Sequence, residues 1–465
     1  MTAQTILPAN TLSGGDLVTN SAVFNDASPD ILKNGTESDG NRKVWTISMW
    51  IKRSKLGVRQ SLWSWGSNSS STGELYIDAN DFLVLNNDGH QGSSNEVAGV
   101  LRDTSAWYHI VWRCDVTESN NIDRWRCYIN GVQRLLTDAA SVSNADGEIN
   151  KNGTHQNWIG GAARSLQSGN AVYPFGGYIA EAVFVDGQAL APTSFGEFDE
   201  DTPTVWKPIN VSGLTFGNEG VYLNFKNATE LGTDVSGNGN TYAETGLTAA
   251  NQSTDTCQNN FATMNPLDNF YAESTFSEGN LNLVMADSPN TWNISTIGVS
   301  SGKWYFEVKE LAEGASGSSQ VGVADRPTVA ADEELGGIAT TFAYTSNGRF
   351  RTGGSQTAAD KATWGVNDVI GIALDMDASP ATVTFTKNGS AAGSTQNLTA
   401  TGTGFYFLAI GAWVDGSVTF SANFGSPAYS ESGGNSDGNG YGNFKTAPPS
   451  GYLSLCTANL SEVNS

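Results

Sequence analysis

The acidic segment "EFDED" supplies the carboxylates best spaced for catalysis in this sequence. Glu197, Asp199 and Asp201 alternate there, which would place them on one face of a strand. Glycosidases use two such carboxylates, one as nucleophile and one as acid. The segment runs into Thr-Pro rather than into a strand. We therefore interpret it as a polar loop and keep catalysis as the alternative.

The histidines offer no second route to catalysis. His90, His109 and His155 are widely separated, and His109 lies inside the apolar segment "WYHIVW". A core or rim position is predicted for His109. The sequence contains no His pair at metal-ligand spacing, no nucleophile elbow and no phosphate-binding loop. We predict a protein that is not an enzyme.

One loop has the composition of a calcium site. In "DVSGNGN", oxygen-bearing side chains alternate at Asp234, Ser236, Asn238 and Asn240. An EF-hand-like loop would also need a bidentate acid near Thr245, where none stands. We interpret the segment as a glycine-rich turn, with calcium bound by Asp234, Asn238 and Asn240 as the alternative. No other cofactor is predicted.

Aromatic residues in predicted loops are the candidate binding residues. Ring faces beside Asn, Asp and Arg suit sugars, because C–H faces pack on rings while hydroxyls form hydrogen bonds. Burial in the core is the competing interpretation for each ring. The candidates are Trp63, Trp65, Trp158, Tyr173, Phe175, Trp292, Tyr344, Phe350 and Trp413.

The elements that must position these residues are strands. The 465 residues include 53 glycines, and no long stretch has helical periodicity. Short period-two segments alternate with Gly, Ser, Asn and Asp clusters. Asn130-Gly131 and Asn388-Gly389 are predicted tips of type I′ hairpins, because both residue types tolerate positive φ. The fold class predicted is all-β, and the length favours two domains over three.

The net charge of the chain limits the classes of partner that it could bind. The formal charge of −23 would repel a phosphate backbone, so no nucleic-acid role is predicted. The cluster Lys52, Arg53, Lys55 and Arg59 is interpreted as a solvated strand end and loop. The N-terminus "MTAQTILPANTLSGGDL" lacks a basic region and an apolar region. We expect folding in a cytoplasm and no membrane insertion.

Residues 20 to 200 resemble a laminin-G-like or pentraxin-like module of the concanavalin A-like sandwich. The segments that carry the resemblance are "WTISMWIK", "WYHIVW", "YINGVQ" and "GYIAEAVFVDGQALAP", in that order. Residues 280 to 425 resemble a SPRY domain through "GKWYFEV", "VGVAD", "IGIALDMD", "TVTFTKNG" and "FYFLAIG". SPRY domains are also concanavalin-like sandwiches, so the repeated hairpin is explained by architecture.

These resemblances imply two concanavalin A-like antiparallel jelly-roll sandwiches in tandem. The domains are predicted at residues 1–205 and 257–465, with a connector at 206–256 that completes or follows the first sandwich. Cys114 and Cys127 are expected as buried free thiols on neighbouring strands. Cys257 and Cys456 flank the SPRY-like part, and we predict that their sulfurs lie close enough for a disulfide.

The edges of the two modules resemble proteins of tailed phages. "SAVFNDASPDILKN", "NNFATMNPLDN" and "FKTAPPSGYLSLCTANLSE" are similar to segments of tail-fibre, spike and head-decoration proteins, particularly marine ones. This resemblance implies a virion-surface protein that is assembled in the host cytoplasm. Other virion proteins would be its partners, together with copies of itself, in a trimer or another homo-oligomer.

The leading functional hypothesis is non-catalytic binding of a host surface glycan or receptor through sandwich loops. The first alternative is a structural decoration or fibre component that contacts only other virion proteins. The second alternative is a spike enzyme that cleaves polysaccharide. It would need a carboxylate pair, and the sequence offers only the "EFDED" segment.

Overall fold

The chain folds into two compact units. The computed structural model describes residues 17–27, 30–35, 40–68, 71–87, 94–145, 149, 155–162, 173–269, 274–285, 290–314, 319–328, 333–413, 417–428 and 434–463. The first unit ends at Gln258 and the second begins at Asn259. Within the described ranges, no helix combines the length and the apolar character that crossing a membrane requires.

The first unit is built from short strands rich in aromatic and β-branched residues, which favour extended backbone. They are β1 (Ser21–Phe24), β2 (Ile31–Lys33), β3 (Val44–Arg53), β4 (Gln60–Asn68), β5 (Ser71–Ile77), β6 (Phe82–Asn87), β7 (Ser94–Val100), β8 (Trp107–Asp115), β9 (Trp125–Ile129), β10 (Val132–Arg134), β11 (Gln156–Ile159), β12 (Gly177–Asp186), β13 (Gly196–Phe198), β14 (Trp206–Pro208), β15 (Val221–Leu223), β16 (Ala243–Thr245) and β17 (Gln252–Ser253). Helical segments are α1 (Asn121–Arg124) and 3-10 turns at Ala139–Ser141, Pro192–Ser194 and Ala249–Asn251.

These strands form two main sheets that enclose one core. The first sheet has the order β10-β9-β8-β3-β12-β1-β17, with β15 also paired to β12. The second has the order β16-β2-β11-β4-β5-β6-β7, and β13 pairs with β14 separately. The core between the sheets includes Trp45, Trp63, Trp65, Trp112 and Phe184. The predicted antiparallel sandwich is confirmed for this unit.

The connector after residue 205 adds strands to both sheets of the first unit. β15 pairs with β12, β16 pairs with β2, and β17 pairs with β1. An ion pair buried beside β17 joins Lys52 Nζ to Asp255 Oδ2 at 2.8 Å. Trp107 Nε1 donates to the other oxygen of Asp255 at 3.0 Å. The connector therefore completes the first sandwich.

The second unit has the same kind of strands. They are β18 (Thr275–Ser277), β19 (Asn282–Met285), β20 (Thr291–Ile294), β21 (Lys303–Ala312), β22 (Ser319–Ala324), β23 (Thr341–Thr345), β24 (Arg349–Thr352), β25 (Ser355–Gln356), β26 (Val369–Asp375), β27 (Thr382–Lys387), β28 (Ser390–Ala391), β29 (Gln396–Asn397), β30 (Phe407–Ala412), β31 (Val418–Asn423) and β32 (Leu453–Ser454). A 3-10 turn at Pro266–Asp268 and helix α2 (Thr457–Val463) complete the elements.

Two sheets again enclose a core in the second unit. One has the order β18-β19-β31-β21-β26-β27-β28, with β29 paired to β27 and β32 paired to β21. The other has the order β20-β30-β22-β23-β24-β25. The core between them includes Trp304, Phe306, Tyr344, Ile372 and Phe385. The all-β prediction of tandem sandwiches is confirmed.

Both predicted hairpin tips are confirmed. Asn130 and Gly131 have φ of +49° and +74°, and Asn388 and Gly389 have φ of +48° and +82°. Such angles are the left-handed region that a type I′ turn requires at both central positions. The tips join β9 to β10 and β27 to β28.

A C-terminal segment covers the outer face of β21. Tyr305 and Glu307 alternate with the core residues Trp304 and Phe306 on β21, and both are nevertheless buried. Phe444 packs against the ring of Tyr305 at 5.1 Å. The carboxylate of Glu307 accepts hydrogen bonds from the backbone N–H groups of Lys445 and Thr446, both at 2.9 Å. Glu307 thus fixes this segment to the sheet.

The predicted disulfide does not form. Cys114, Cys127, Cys257 and Cys456 are all free thiols. Cys257 belongs to the first unit and Cys456 to the second. Cys114 and Cys127 lie buried on the adjacent strands β8 and β9, as expected. The error arose because sequence position was used to infer proximity, although two residues that flank a domain need not meet.

Candidate functional site

Polar and aromatic side chains gather on the outer face of the second sheet of the first unit. Leu75 and Ile77 enter the core, so Glu74 and Tyr76 on the same strand point outward. Ser61 lies directly opposite Tyr76 in the register of β4 and β5. We call Arg59, Ser61, Glu74, Tyr76 and Tyr173 the Arg59 face.

The guanidinium of Arg59 lies between two tyrosine rings. Its Cζ is 3.9 Å from the ring centroid of Tyr76 and 4.5 Å from that of Tyr173. Arg59 also donates from Nη2 to Glu74 Oε2 at 2.5 Å. A planar, weakly hydrated cation stacks well on aromatic rings. The group is therefore held by two rings and one carboxylate.

The Arg59 face is partly open to solvent. Tyr173 is 43% exposed, and the side chain of Arg59 is 32% exposed. The backbone N–H of Ser61 donates to Tyr173 O at 2.7 Å, which fixes Tyr173 against β4. The Ser61 hydroxyl is buried and has no hydrogen-bond partner among the described residues. The face offers an exposed ring, a compensated charge pair and hydrogen-bonding groups.

Most of the aromatic residues predicted to bind a ligand lie in the interior. The structure buries seven of the nine, so the expectation is corrected for Trp63, Trp65, Trp158, Phe175, Trp292, Tyr344 and Phe350. Tyr344 and Phe350, for example, contact each other with ring centroids 5.5 Å apart. These rings occupy core-facing or covered positions, because large apolar surface is most stable away from water.

Tyr173 and Trp413 retain exposed surface. Trp413 is half-buried in the second unit, and Arg351 Cζ lies 5.9 Å from its ring. Arg351 also forms an ion pair with Glu334. The second unit therefore has an Arg, Glu and aromatic grouping similar in composition to the Arg59 face. Gln320, which points to the same side of this sheet as Arg351, is buried with both amide atoms unpartnered among the described residues.

The basic cluster is not a solvated strand end. Lys52 and Arg53 are fully buried, and Arg53 Nη1 pairs with Asp81 Oδ1 at 3.0 Å. Lys55 is exposed, and Arg59 is half-buried within the Arg59 face. The interpretation is wrong for Lys52 and Arg53. These two residues are adjacent in β3 and therefore point to opposite faces of the sheet, and other parts of the chain cover both.

His109 has the structural role that was predicted. Its ring stacks on that of Trp50 with centroids 4.5 Å apart, and the nearly parallel ring of Trp206 lies with its centroid 6.0 Å away. Trp206 Nε1 donates to Nδ1, so Nε2 carries the proton and donates to Ser48 Oγ at 2.9 Å. Burial lowers the pKa of His109 to about 3. His155 is also buried, and His90 lies outside the described residues.

The carboxylates of "EFDED" stabilise a turn. Asp199 accepts hydrogen bonds from the backbone N–H of Asp201 at 3.0 Å and of Thr202 at 2.9 Å. Lys207 Nζ lies 3.1 Å from Asp199 and 3.5 Å from Glu197. The hydrogen bond from Lys207 lowers the pKa of Asp199. Asp199 is therefore kept ionised and bound, which does not suit a proton donor.

The candidate calcium loop is held by its own hydrogen bonds. Asp234 accepts from the backbone N–H groups of Tyr222, Ser236 and Asn240 at 2.8 to 3.0 Å. The side-chain amides of Asn238 and Asn240 both donate to Gly220 O at 2.9 Å. The described part of the chain holds no group of three His, Cys, Asp or Glu residues placed to bind a metal. These contacts favour the glycine-rich turn.

Sequence reasoning missed Arg59, Glu74 and Tyr76 as site residues. Tyr76 alternates with Leu75 and Ile77 in "GELYID", which indicates that it points away from the core. Arg59 is separated from Tyr76 by a hairpin and from Tyr173 by more than a hundred residues. Period-two alternation could have found the outward tyrosine, but it could not have found its partners.

Two family models match the chain. Residues 31–193 match the concanavalin A-like lectin/glucanases superfamily, and residues 303–426 match the SPRY domain. The chain therefore contains a concanavalin A-like domain followed by a SPRY domain, as the resemblances implied. A comparison with curated proteins gave no match.

Solved structures are similar to parts of the chain. The SPRY domain of human HERC1 is 15% identical, over 34% of this chain and 96% of that one, with a TM-score of 0.30. A putative carbohydrate binding protein from Bacteroides ovatus is 16% identical, over 38% of this chain and 45% of that one, with a TM-score of 0.29. A heptameric SAP-like pentraxin from Limulus polyphemus is 14% identical, over 38% of this chain and 80% of that one, with a TM-score of 0.28.

Proposed function

We propose that the protein is a non-catalytic recognition protein that binds carbohydrate through the Arg59 face of its first unit. The observation that carries the proposal is the Arg59 guanidinium held between the rings of Tyr76 and Tyr173. The concanavalin A-like domain, whose superfamily name includes lectins, supports a carbohydrate-binding role.

The chemistry of the Arg59 face suits a sugar better than an apolar or strongly charged ligand. A sugar ring presents C–H groups that pack on an exposed aromatic face, and Tyr173 offers such a face. Arg59 and Glu74 already neutralise each other, so the pair adds hydrogen-bonding atoms without a net charge. Their fixed geometry also lowers the entropy lost on binding.

Binding to a glycan array with three variants tests this site. We expect Tyr173→Ala to weaken the strongest glycan signal about tenfold or more, in line with the loss of one stacking contact. Arg59→Lys keeps the charge but cannot stack as a plane, so it should also weaken binding. Phe405→Ala is the matched control, because Phe405 is similarly exposed at 38% and lies in the second unit. Equal binding by all four proteins would exclude the Arg59 face.

We also propose that the protein lies on the surface of a phage virion and attaches it to host glycans. The similarity of "SAVFNDASPDILKN" and "FKTAPPSGYLSLCTANLSE" to segments of phage structural proteins supports this placement. Single sugar contacts are weak, and many copies on one particle would raise the overall affinity.

Immunogold labelling of intact particles, followed by competition of host adsorption with the purified protein, tests the placement. Label at the tail together with blocked adsorption is the expected result. Absence of label would contradict the virion placement but would leave glycan binding by the Arg59 face intact.

A decoration or fibre component that contacts only virion proteins is the second candidate function. The edge strand β10 favours it, because Val132 is 48% exposed there and Leu135, just beyond it, is 80% exposed. Exposed aliphatic groups on a sheet edge suit contact with another protein. Label spread over the head without competition for adsorption would support this function over attachment.

A further inference from the structure

Buried polar atoms without partners among the described residues lie where β21 ends in the second unit, and we call the space that they border the pocket. Glu310 is fully buried where β21 ends, and its Oε1 accepts a hydrogen bond from Ser319 Oγ. Its other oxygen, Oε2, is buried and has no hydrogen-bond partner among the described residues. A buried carboxylate oxygen without a partner is costly, so it marks a place where a donor would be stabilising.

The carboxylates of Glu310 and Glu313 both lie near Gly365. A methyl group placed on Gly365 would lie 3.6 Å from Glu313 Oε2 and 3.8 Å from Glu310 Oε2. Apart from the residues adjoining Gly365 in the chain, no other described heavy atom lies within 4 Å of that point. The space above Gly365 is therefore bordered by two carboxylate oxygens, one from a buried residue and one from an exposed residue.

A hydroxyl and an indole lie on the segments next to Glu310 and Gly365. Ser346 follows β23 and donates its backbone N–H to Ser319 O at 2.9 Å, so the two serines are neighbours across the strands. The Ser346 hydroxyl is buried and has no partner among the described residues. The Trp364 ring packs 5.9 Å from the Tyr344 ring, next to Gly365. Ser346 and Trp364 thus adjoin Glu310 and Gly365, and the indole N–H of Trp364 is also buried without a partner among the described residues.

The loop that carries Gly365 is fixed to the strands. Trp364 N donates to Ser346 O at 3.0 Å, and Asn367 N donates to Glu310 O at 2.8 Å. Gly365 N donates to the carboxylate of Asp368 at 3.0 Å. These backbone contacts hold the pocket in one shape, which reduces the entropy lost when a ligand binds.

Among the described residues, no cation compensates the charge of Glu310. Lys387 is close by, but its Nζ lies 2.9 Å from Asp368 and donates to Thr363 O at 2.7 Å. Burial, together with the charges of Glu313 and Asp368, raises the pKa of Glu310 to about 7 against the hydrogen bond from Ser319, which lowers it. Near neutral pH, a cation can take the place of the Glu310 proton.

We propose that this pocket binds a primary ammonium group, which donates to Glu310, Glu313 and Ser346 and packs its first carbon atoms against Trp364. An ammonium has three donors, and the pocket has three acceptor groups. A tryptophan ring beside a cation adds a cation–π attraction. Calcium prefers six to eight oxygen ligands, more than these side chains supply.

The proposal can be tested with simple probes on the full chain. Propylamine hydrochloride and 1-propanol have similar size, but only the first carries an ammonium. We expect calorimetry to show saturable binding of propylamine with a dissociation constant on the order of 1 mM, and none for propanol. The affinity should rise between pH 6 and pH 8, because Glu310 must lose its proton while the amine keeps its own.

Variants distinguish this pocket from other acidic surface. Glu310→Gln and Glu313→Gln should each weaken propylamine binding about tenfold, as expected for loss of a hydrogen bond to a charged group. Glu200→Gln is the control, because it removes one exposed carboxylate of the first unit. If Glu310→Gln does not fold, Glu313→Gln still decides, since Glu313 is exposed. Equal binding by all variants, equal binding of propanol, or displacement of propylamine by millimolar calcium would overturn the proposal.

This site is independent of the Arg59 face. It lies in the other unit and takes a cation rather than a neutral sugar. Loss of glycan binding in Tyr173→Ala should leave propylamine binding unchanged, and loss of propylamine binding in Glu313→Gln should leave glycan binding unchanged. The glycan-binding test and the propylamine-binding test can therefore give opposite results, and each decides only its own site.

Discussion

The two units treat buried charge differently. In the first unit, two buried cations form ion pairs, Lys52 with Asp255 at 2.8 Å and Arg53 with Asp81 at 3.0 Å. In the second unit, the buried Glu307 is held by backbone N–H groups, and the buried Glu310 by one serine hydroxyl. The same fold class thus tolerates buried carboxylates with and without a cation.

This difference in compensation shows which buried charges only stabilise the fold and which could also bind a ligand. A buried ion pair that is complete in the folded protein has little capacity for a ligand, because desolvation has already been offset by the partner. A buried carboxylate with an unpartnered oxygen, such as Glu310, retains that capacity. Glu181 in the first unit is intermediate, because it accepts a hydrogen bond from Tyr222 and burial raises its pKa to about 7.

The largest effect is expected from breaking the pair between Lys52 and Asp255. Asp255→Asn leaves a fully buried ammonium without its counter-charge, and we expect the first unit to lose about 3–5 kcal/mol of unfolding free energy. Urea denaturation measures it. Lys55→Met is the matched control, because the side chain of Lys55 is 50% exposed in its pair with Asp26. That variant should change stability by less than about 1 kcal/mol. A similar loss in both variants would remove the distinction between buried and exposed pairs.

A smaller loss of unfolding free energy is expected from Glu307→Gln. Glu307→Gln replaces one acceptor oxygen by an NH2 group facing the N–H donors of Lys445 and Thr446. We expect a loss of about 2 kcal/mol in the second unit, with faster hydrogen exchange at residues 444–446. Glu313→Gln, which removes an exposed carboxylate just beyond the end of β21, should show neither effect. Unchanged exchange at these residues would show that Glu307 does not hold the C-terminal segment.

The smallest effect is the pH dependence contributed by Glu310. Its pKa is raised from 4.5 to about 7 in the folded protein, so folding favours the protonated form. The stability due to this group is present below pH 4.5 and is lost as the pH rises through about 7. Glu310→Gln should therefore gain about 1 kcal/mol relative to the original protein at pH 8 compared with pH 5. Urea denaturation at the two pH values measures it, and an equal difference at both would contradict the raised pKa.

Local sequence patterns predicted the fold well. The alternation in "TVTFTKNG" and the Asn-Gly tips depend on residues close in the chain, and both are confirmed by the register of β27 and β28 and by the positive φ of Asn388. The buried position of His109 could also be predicted from the sequence, because apolar residues flank it there.

Contacts between distant segments could not be predicted. Burial of Lys52 depends on Asp255, 203 residues away, and burial of Glu307 depends on residues near 445. The aromatic candidates failed for the same reason, since a ring in a predicted loop can still face the core. The Arg59 face joins three separate segments, and no single segment reveals it.

The central claim is that the first unit binds glycan at the Arg59 face. Hydrogen–deuterium exchange of the full chain, with and without the strongest ligand from the glycan array, tests it most directly. We predict slower exchange with ligand at the backbone amides of residues 59–61, 74–76 and 173, with the second unit unchanged. Slower exchange confined to the second unit, or equal rates at Ser61 and Tyr76 with saturating ligand, would contradict the account.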